Sequence, residues 1–484
     1  RPAGLEVFET GYRNINDKSL KKVSLAATAL EGMRGIASID PELTVKRQGD
    51  TVSLMNSDTT VASFQAPPED DVKGWSALTM DLSSAGRGVS VELREADAEK
   101  LYQAVFDSAL SNLDVFSHYA GAEEAKKNRA KRDGFSGIGI RFRMVGEDAL
   151  ITQVLPRTPA FSAGLKRNDV ITHVDKASTA GWSKEEVTAR LRGPVNSMVE
   201  VTVRRRKKKE PLGFEIERQL IVPTTVTYGY DKGVVFLKIT NFNTRTSRDL
   251  TAKLKKARRD HGGEMKGVVL DLRGNPGGLL KQSIKVAGLF LTQGHIISTR
   301  GRHPDSLQSY DAGGSDQAGG LPLAVLIDGK SASAAEVVAA ALQDRGRAVV
   351  IGTSSFGKGT VQTVVRLPNE GEITLTWSRL IPPSGYVLHG LGVFPAICTS
   401  GAGVGGRQII EAVLADRGKA VSIMEEWRKT SMENETKRRD LRASCPAQKR
   451  ANPLEIELAR GLINDRDLFL RVLNLFPAPE AAQH

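Results

Sequence analysis

Two serines and one lysine in the second half of the chain have the types and spacing needed for nucleophilic catalysis. Ser331 and Ser333 lie at the expected start of a helix, and Lys358 follows between two glycines. A serine hydroxyl becomes a nucleophile when a base removes its proton, and a lysine that loses proton affinity in an apolar pocket can be that base. The N–H groups at a helix start can also stabilise an oxyanion. The pattern indicates serine–lysine chemistry, and its alternative is a buried α/β unit with a surface lysine.

A strand–helix–strand unit must position these residues. The apolar runs LAVLID at 323–328 and AVVIG at 348–352 predict two strands buried on both faces. Between them a helix should open at 331–334 and stop at Gly346. Upstream, MKGVVLDLRGNPGGLL at 265–280 predicts a strand that runs into a glycine-rich turn. Backbone N–H groups of such a turn can approach a substrate closely because glycine has no side chain.

These motifs closely resemble those of the carboxyl-terminal processing (tail-specific) serine proteases. The resemblance rests on DLRGNPGG at 271–278, SASAAEVVAAALQDRGR at 331–347 and FGKGTVQ at 356–362, which occur in the family's order. It covers roughly residues 100–397. It implies a crotonase-like protease core joined to a PDZ domain, and an enzyme that cleaves proteins through an acyl-enzyme intermediate.

The resemblance also implies the roles of individual residues. Ser333 is expected to be the nucleophile because the family's nucleophile stands twenty-five residues before the lysine. Lys358 is then the general base, and Gln362 is the residue that orients it. Ser331 is expected to cap the helix instead.

Further site residues follow from the same resemblance. The backbone amide of Gly277 or Gly278 and that of Ala334 are expected to form the oxyanion hole. Asp344 matches a carboxylate that the family often carries near the site. No metal and no cofactor are expected.

Residues 134–206 resemble a PDZ domain. GIGIRF at 137–142 supplies a glycine turn and a strand, and PAFSAGLKRNDVITHVD at 159–175 follows the usual course of such a domain. The predicted peptide-binding residues are Gly137, Ile138, Gly139 and Ile140, and Lys184 to Leu191 is the expected groove helix. In PDZ domains the turn offers N–H groups to a C-terminal carboxylate while the strand edge pairs with the peptide.

The predicted fold class is mixed α/β and α+β in several domains, with the PDZ domain inserted ahead of the protease core. The predicted regions are a helical and β region at 1–133, the PDZ domain and linker at 134–222, the core at 223–400 and a helical region at 401–484. Helices are predicted within 5–36 and 96–113, and alternating strands within 42–95, including GVSVEL at 88–93.

Composition and charge limit the kinds of partner that the protein is expected to bind. The chain has 484 residues and a net charge of +12, and no apolar run approaches the length of a membrane span. The cations concentrate at 125–132 and 204–209. These segments are interpreted either as a solvated linker and a hairpin tip or as a surface that attracts anionic partners. Nucleic-acid binding is not expected because no recognised module is present.

The two cysteines, Cys398 and Cys445, fit either a single disulfide or two unrelated buried thiols, and we expect the disulfide. This favours a periplasmic or otherwise extracytoplasmic location, with a signal peptide removed.

One rival motif overlaps the lysine. Gly352 and Gly357 precede Lys358 at nearly the spacing of a P-loop, but Gly359 stands where a serine or threonine must bind magnesium. The sequence therefore predicts a serine endopeptidase whose partners are proteins or peptides with free C-termini, and it leaves open an adaptor protein and a homo-oligomer. The alternative is a catalytically silent PDZ scaffold that binds peptides without cleaving them.

Overall fold

The computed structural model describes residues 2–402, 405–450 and 453–476. The chain forms two compact units. The first comprises the described parts of Arg1–Lys127, Thr225–Phe242 and Thr246–His484, and the second comprises Asn128–Thr224 with Asn243–Arg245. The division of the chain into four regions remains a prediction.

The first part of unit 1 combines helices with a three-stranded antiparallel sheet. Its elements are α1 (Pro2–Lys18), α2 (Leu25–Arg34), β1 (Leu43–Gln48), β2 (Thr51–Asn56), β3 (Thr59–Gln65), α3 (Val72–Val89), α4 (Val91–Glu95), α5 (Ala98–Ser111), β4 (His118–Ala120) and α6 (Ala122–Asp133), the last of which continues into unit 2. A cluster that includes Phe8, Tyr12, Trp75 and Phe106 fills its core.

The strand predicted at 88–93 is wrong, because α3 ends and α4 begins there. Val89 and Val91 are about half exposed, so the apparent alternation is not the buried face of a strand. The Ser90 side chain instead accepts the Leu93 N–H at 3.0 Å and starts α4.

Unit 2 is built around an antiparallel sheet with one helix beside its edge. Its elements after α6 are β5 (Phe135–Gly137), β6 (Ile140–Val145), β7 (Asp148–Val154), α7 (Pro159–Ala163), β8 (Val170–Val174), β9 (Ala177–Ser178), α8 (Lys184–Leu191), β10 (Met198–Arg204), β11 (Leu212–Glu217) and β12 (Gln219–Ile221). The main sheet has the order β11-β10-β8-β7-β6, so β6 is an edge strand. The glycine turn, the strand and the groove helix predicted from the sequence are all present.

The catalytic candidates lie in the part of unit 1 that follows unit 2 in the chain. Its elements are β13 (Val226–Asp231), β14 (Val234–Ile239), α9 (Thr246–His261), β15 (Gly267–Asp271), α10 (Leu280–Gly288), β16 (Gly294–Gly301), β17 (Gln308–Ala312), β18 (Leu323–Ile327), α11 (Ala334–Asp344), β19 (Val349–Gly352), β20 (Thr360–Arg366), β21 (Glu372–Ile381) and β22 (Ile397–Cys398).

Two sheets organise these elements. One has the order β13-β14-β15-β18-β19-β22 and is parallel from β14 onward, with Leu270 opposite Val325 and Leu326 opposite Ile351. The other has the order β17-β16-β21-β20, and β4 pairs with β21. Every residue of β15, β18, β19 and α11 is buried, as expected for parallel strands covered on both faces.

The described C-terminal helices are α12 (Gly406–Ala415), α13 (Arg417–Lys429), α14 (Glu435–Ala443), α15 (Leu454–Asn464) and α16 (Arg466–Leu473). Trp427, Leu441 and Leu458 join the same buried cluster as the strands of the parallel sheet, so these helices are part of the core. Across the described ranges, we find no helix with the length and apolar character needed to cross a membrane.

Candidate active site

Ser333 lies at the sharp bend between β18 and α11. Its backbone has φ 54° and ψ −114°, a region that a residue with a side chain occupies only under strain. Glu336 helps to hold this bend, because its Oε2 accepts the Ser333 N–H at 2.7 Å. Ser333 is partly exposed, whereas Ala332 and Ala334 on either side are buried. The bend therefore leaves this hydroxyl accessible at the start of a buried helix.

Ser331 has a different role from the one predicted. Its fully buried hydroxyl donates to the Leu272 carbonyl at 2.9 Å and accepts the Asp328 N–H at 2.9 Å, so the predicted helix cap is wrong. Asp328 Oδ1 in turn accepts N–H groups of Gly274 and Lys330 at 2.9 Å and 3.0 Å. These bonds join the ends of β15 and β18, and they fix the glycine-rich turn beside the Ser333 bend.

Glu336 links Ser333 to the loop that carries Lys358. Its Oε2 also accepts the Lys358 N–H at 2.9 Å, and its Oε1 accepts the Gly357 N–H at 2.7 Å and the Ser355 hydroxyl at 2.5 Å. The carboxyl group is fully buried, and burial raises its pKa while these hydrogen bonds lower it. The side chain therefore fixes the backbones of Ser333 and Lys358 relative to each other.

Lys358 lies in the half-buried environment that a lysine base requires. Burial lowers its pKa below the ordinary value of 10.5, and the carboxylates of Asp114 and Glu336 oppose part of that shift. The Nζ atom lies 4.5 Å from the centroid of the Phe116 ring. Neither Lys358 nor Ser333, both described residues, donates a side-chain hydrogen bond to the other in the structure. Such bonds are often long in unliganded enzymes and tighten when the substrate binds.

The predicted oxyanion residues come together beside Ser333. A Cβ added to Gly277, whose φ is 103°, would lie 2.9 Å from the Ser333 Cβ and 3.1 Å from the Ala334 nitrogen. The Gly277 N–H donates to Asn275 Oδ1 at 2.8 Å, so it is already used. Within the described residues, the amides of Gly278 and Ala334 have no such acceptor. Of the two glycines, Gly278 is therefore the one whose amide can join that of Ala334.

Gln362 does not contact Lys358 through a hydrogen bond in the structure. Its Nε2 donates to Thr360 Oγ1 at 3.0 Å and to Thr376 Oγ1 at 3.2 Å. Thr376 Oγ1 donates to Asp114 Oδ1 at 2.9 Å. Gln362 is therefore connected to the surroundings of Lys358 through two intermediate side chains, and its orienting role remains a prediction.

Asp344 lies at the end of α11 opposite to Ser333, which corrects its predicted place near the site. The helix of 11 residues separates the two by about 16 Å at 1.5 Å per residue. The buried carboxylate accepts the Ser384 N–H at 3.0 Å and an Arg428 Nη2 hydrogen at 2.9 Å. Asp344 therefore anchors the end of the helix, and Glu336 is the carboxylate at the site.

The second half of α14 and the segment that follows it support the loops near Ser333 and Lys358 from outside. Arg442 donates through Nη2 to the Ser355 carbonyl at 3.1 Å and through Nη1 to the Leu391 carbonyl at 2.5 Å. The Gln448 carbonyl accepts the Gly329 N–H at 2.8 Å, and the Arg450 N–H donates to Asp328 Oδ2 at 3.0 Å. We call residues 438–450 the C-terminal brace.

The brace is covalently joined to the sheet. Cys398 in β22 and Cys445 in the brace form a disulfide with an S–S distance of 2.05 Å. Cys445 is fully buried beside these contacts. The two predicted cysteines are therefore brought together at the point where the brace meets the core.

The predicted peptide-binding residues line a groove in unit 2. The groove has a volume of about 380 Å³ and lies between β6 and α8, and its walls include Gly137, Ile138, Gly139, Ile140, Phe142, Lys184, Leu191 and Arg192. Among the described residues, the N–H groups of Ile138 and Gly139 have no backbone acceptor, while their carbonyls accept from Ala160 and Leu155. Apolar walls, free N–H groups and an edge strand together fit an extended peptide end.

Sequence reasoning missed three parts of the site. Glu336 could have been predicted, because Ser333 followed three residues later by a glutamate is the sequence pattern of a capping box. Asp114 and Phe116 lie where the resembling family usually has an Asp-Pro-His-Ser segment, but nothing placed them near Lys358, more than two hundred residues later. The C-terminal brace likewise depends on contacts between distant parts of the chain.

Comparisons with known proteins give consistent matches. The family model described as "Peptidase family S41" matches residues 233–399, and the model described as "PDZ domain" matches residues 136–216. The chain is 38% identical over 303 residues to the carboxy-terminal-processing protease of Bartonella bacilliformis, which covers 62% of this chain and 70% of that protein.

Two further similarities complete these findings. A probable CtpA-like serine protease of Staphylococcus aureus is 32% identical over 309 residues, which is 63% of this chain and 61%, or less than two thirds, of that protein. A solved structure of a photosystem II D1 C-terminal processing protease is 22% identical, with a TM-score of 0.41, over 81% of this chain and 92% of that one.

Proposed function

Because the chain belongs to peptidase family S41, the family of the carboxy-terminal-processing serine proteases, we propose that Ser333 and Lys358 form a serine–lysine dyad that hydrolyses peptide bonds in proteins. The observation that carries this proposal is Glu336, whose single Oε2 accepts the N–H groups of both residues. A buried carboxylate in that position fixes the two backbones together, as a nucleophile and its base require.

The first half of the reaction forms an acyl-enzyme. Neutral Lys358 removes the proton from Ser333 Oγ as this oxygen attacks the carbonyl carbon of the substrate. The negative charge on the carbonyl oxygen is stabilised by the N–H groups of Ala334 and Gly278. The C–N bond then breaks, and the proton on Lys358 passes to the departing amine.

The second half releases the acyl group. Lys358, again neutral, takes a proton from water, and the resulting hydroxide attacks the ester carbonyl. The Ser333–acyl bond breaks, and the proton returns from Lys358 to Ser333 Oγ. The lowered pKa of Lys358 supports this mechanism, because it enlarges the neutral fraction of the amine near neutral pH.

The PDZ domain is proposed to read the free C-terminus of the substrate. The N–H groups of Ile138 and Gly139 would receive the carboxylate, and the edge of β6 would pair with the peptide backbone. Ile140, Phe142 and Leu191 line the groove and favour an apolar terminal side chain. Protein or peptide substrates with free C-termini are thus the proposed partners, and an adaptor and a homo-oligomer are the further partners proposed.

The proposed location is the periplasm or another compartment outside the cytoplasm. The disulfide between Cys398 and Cys445 supports it, because disulfides persist in oxidising compartments and are rare in the cytosol.

The test of the dyad is cleavage of an unfolded protein by the purified chain. We expect Ser333→Ala to lower the rate by at least about a thousandfold, because nucleophile and base act as a unit. Ser309→Ala, an exposed serine of β17, is the matched control and should retain full activity. Equal cleavage by Ser333→Ala and the unchanged protein would reject the dyad. Peptide binding without any cleavage by the unchanged protein would favour the silent scaffold.

A further inference from the structure

The turn between α5 and β4 is held firmly next to the candidate base. Asp114 Oδ1 accepts the N–H groups of Phe116 at 2.8 Å and Ser117 at 2.9 Å. The Ser117 hydroxyl donates to Asp114 Oδ2 at 2.9 Å and accepts the Thr376 N–H at 3.0 Å. We call residues 114–117 the Phe116 turn. Its hydrogen bonds attach it to β21, so the position of the Phe116 ring is fixed by the core.

The ring itself lies near two side chains. One neighbour is Lys358, whose Nζ lies 4.5 Å from the ring centroid. The His389 ring is a second neighbour, with its centroid 6.3 Å away in an edge-to-face arrangement. Phe116 is partly buried, and the lysine Nζ lies over its aromatic face. An ammonium group at this distance from an aromatic face is attracted to it.

We propose that Phe116 is a positioning residue for the catalytic base, and that its ring holds the protonated Lys358 ammonium of the resting protein until the proton is lost to solvent. The proposal rests on the proposed serine–lysine function. The ring attracts only the charged amine, so the attraction is lost when the proton leaves. Neutral Lys358 is then free to turn toward the Ser333 hydroxyl. The ring thus discriminates between the protonated resting amine and the neutral amine that acts as the base.

Other charged groups also act on this lysine. Asp114 on the Phe116 turn and Glu336 on α11 both favour the protonated form, against the larger effect of burial. Burial lowers the pKa of His389, the other neighbour of the ring, and the nearby Arg379 and Arg438 lower it further. His389 is therefore held neutral and adds no positive charge against the ammonium. The Phe116 ring also stabilises protonated Lys358 but carries no charge. Replacing it therefore tests its effect on Lys358 without altering the charged groups nearby.

A titration of Lys358 tests the proposal without relying on catalysis. The protein would carry Ser333→Ala and lysine labelled with ¹³C at Cε, and the Lys358 signal would be identified by its loss in Lys358→Arg. We expect Phe116→Leu to lower the pKa of Lys358 by about 0.5 to 1 pH unit, because the favourable contact with the charged form disappears. Phe116→Tyr keeps an aromatic face and should leave the pKa unchanged.

The control for this titration is a substitution elsewhere in the Phe116 turn. Val115→Ala changes an exposed side chain of the same turn, 90% accessible, and should not shift the titration. The same pKa in Phe116→Leu and in the parent protein, both folded by circular dichroism, would overturn the proposal. Full peptidase activity in Lys358→Arg of the otherwise unchanged protein would instead overturn the proposed dyad, so the two failures are distinguishable.

Discussion

The backbone N–H groups of Ser333 and Lys358 donate to the same oxygen, Oε2 of Glu336, at 2.7 Å and 2.9 Å. The two residues are twenty-five positions apart in the chain. They are joined by one buried side chain, and no hydrogen bond forms between their own functional groups. The relative position of the two backbones therefore depends on Glu336, a residue with no direct part in the proposed reaction.

Glu336→Gln should reduce both activity and stability. A glutamine offers one acceptor oxygen and one NH₂ group, so some of the four donors that now face the carboxylate would meet another donor. We expect a loss of about 2 to 4 kcal/mol in the free energy of unfolding, in line with buried hydrogen bonds to charged groups. Urea unfolding and kcat would be measured, with Glu411→Gln on the exposed face of α12 as the control. Unchanged kcat in Glu336→Gln would contradict the role assigned to this carboxylate.

The rate of cleavage should rise with pH. A base acts only in its neutral form, so the rate follows deprotonation of Lys358. Because burial lowers the pKa of Lys358, the plateau should be reached below the ordinary value of 10.5. The pH dependence of kcat/KM would be measured between pH 6 and 10. A rate that falls across this range in folded protein would contradict a lysine base.

Lys358→Arg should be inactive at every pH, because arginine stays protonated. Lys255→Arg on the exposed face of α9 is the matched control and should behave as the unchanged protein.

Many elements of the fold could be predicted from the sequence. The strand–helix–strand unit was correct because its strands are unbroken apolar runs, and the groove helix was predicted at Lys184–Leu191, where α8 lies. The family resemblance and the fold class are confirmed by the matches to peptidase family S41, to a PDZ domain and to a carboxy-terminal-processing protease.

The rest depended on information that local patterns do not carry. Apolar and polar residues alternate at 88–93 as in a strand. In the structure, however, Ser90 caps a helix there, and Val89 and Val91 are about half exposed. Asp344 was misplaced although the helix predicted from 331–334 to Gly346 already separates it from Ser333, because its role was assigned from the family resemblance alone. Arg442 reaches Ser355 across 87 residues, a pairing that no periodicity predicts.

Removal of the disulfide should weaken the C-terminal brace. The bond joins Cys398 and Cys445 across a sequence separation of 47 residues, for which the chain-entropy model predicts roughly 4 kcal/mol of stabilisation. Replacing both cysteines by serine should therefore lower resistance to urea, and should also lower kcat because Arg442 supports the Ser355 carbonyl. Two titratable thiols in protein unfolded without reductant would refute the disulfide.

A substrate with an amidated C-terminus should bind unit 2 more weakly than the same peptide with a free carboxylate. Amidation removes the charge that the N–H groups of Ile138 and Gly139 would receive. We expect about a tenfold rise in Kd, measured by fluorescence anisotropy with Ser333→Ala protein. Equal affinity for the two peptides would end the proposal that the groove reads C-termini.

A pair of glycine substitutions gives the matching test on the protein. Gly139 has φ 88°, and an added Cβ would lie 2.3 Å from the Thr158 Cβ, so Gly139→Ala should distort the turn and weaken peptide binding. Gly146 also has a positive φ, 63°, but nothing lies within 4 Å of its added Cβ. Gly146→Ala shares the backbone strain without the clash and should preserve peptide binding.

The C-terminal brace follows both candidate catalytic residues in the order of synthesis. Synthesis proceeds from the N-terminus, so Ser333 and Lys358 leave the ribosome before residues 438–450 exist. During that interval the Ser355 carbonyl and the Gly329 N–H lack their partners Arg442 and Gln448. A nascent chain therefore carries Ser333 and Lys358 before it has the contacts that hold their loops. The loops that carry Ser333 and Lys358 therefore gain these contacts only after residues 438–450 have been made.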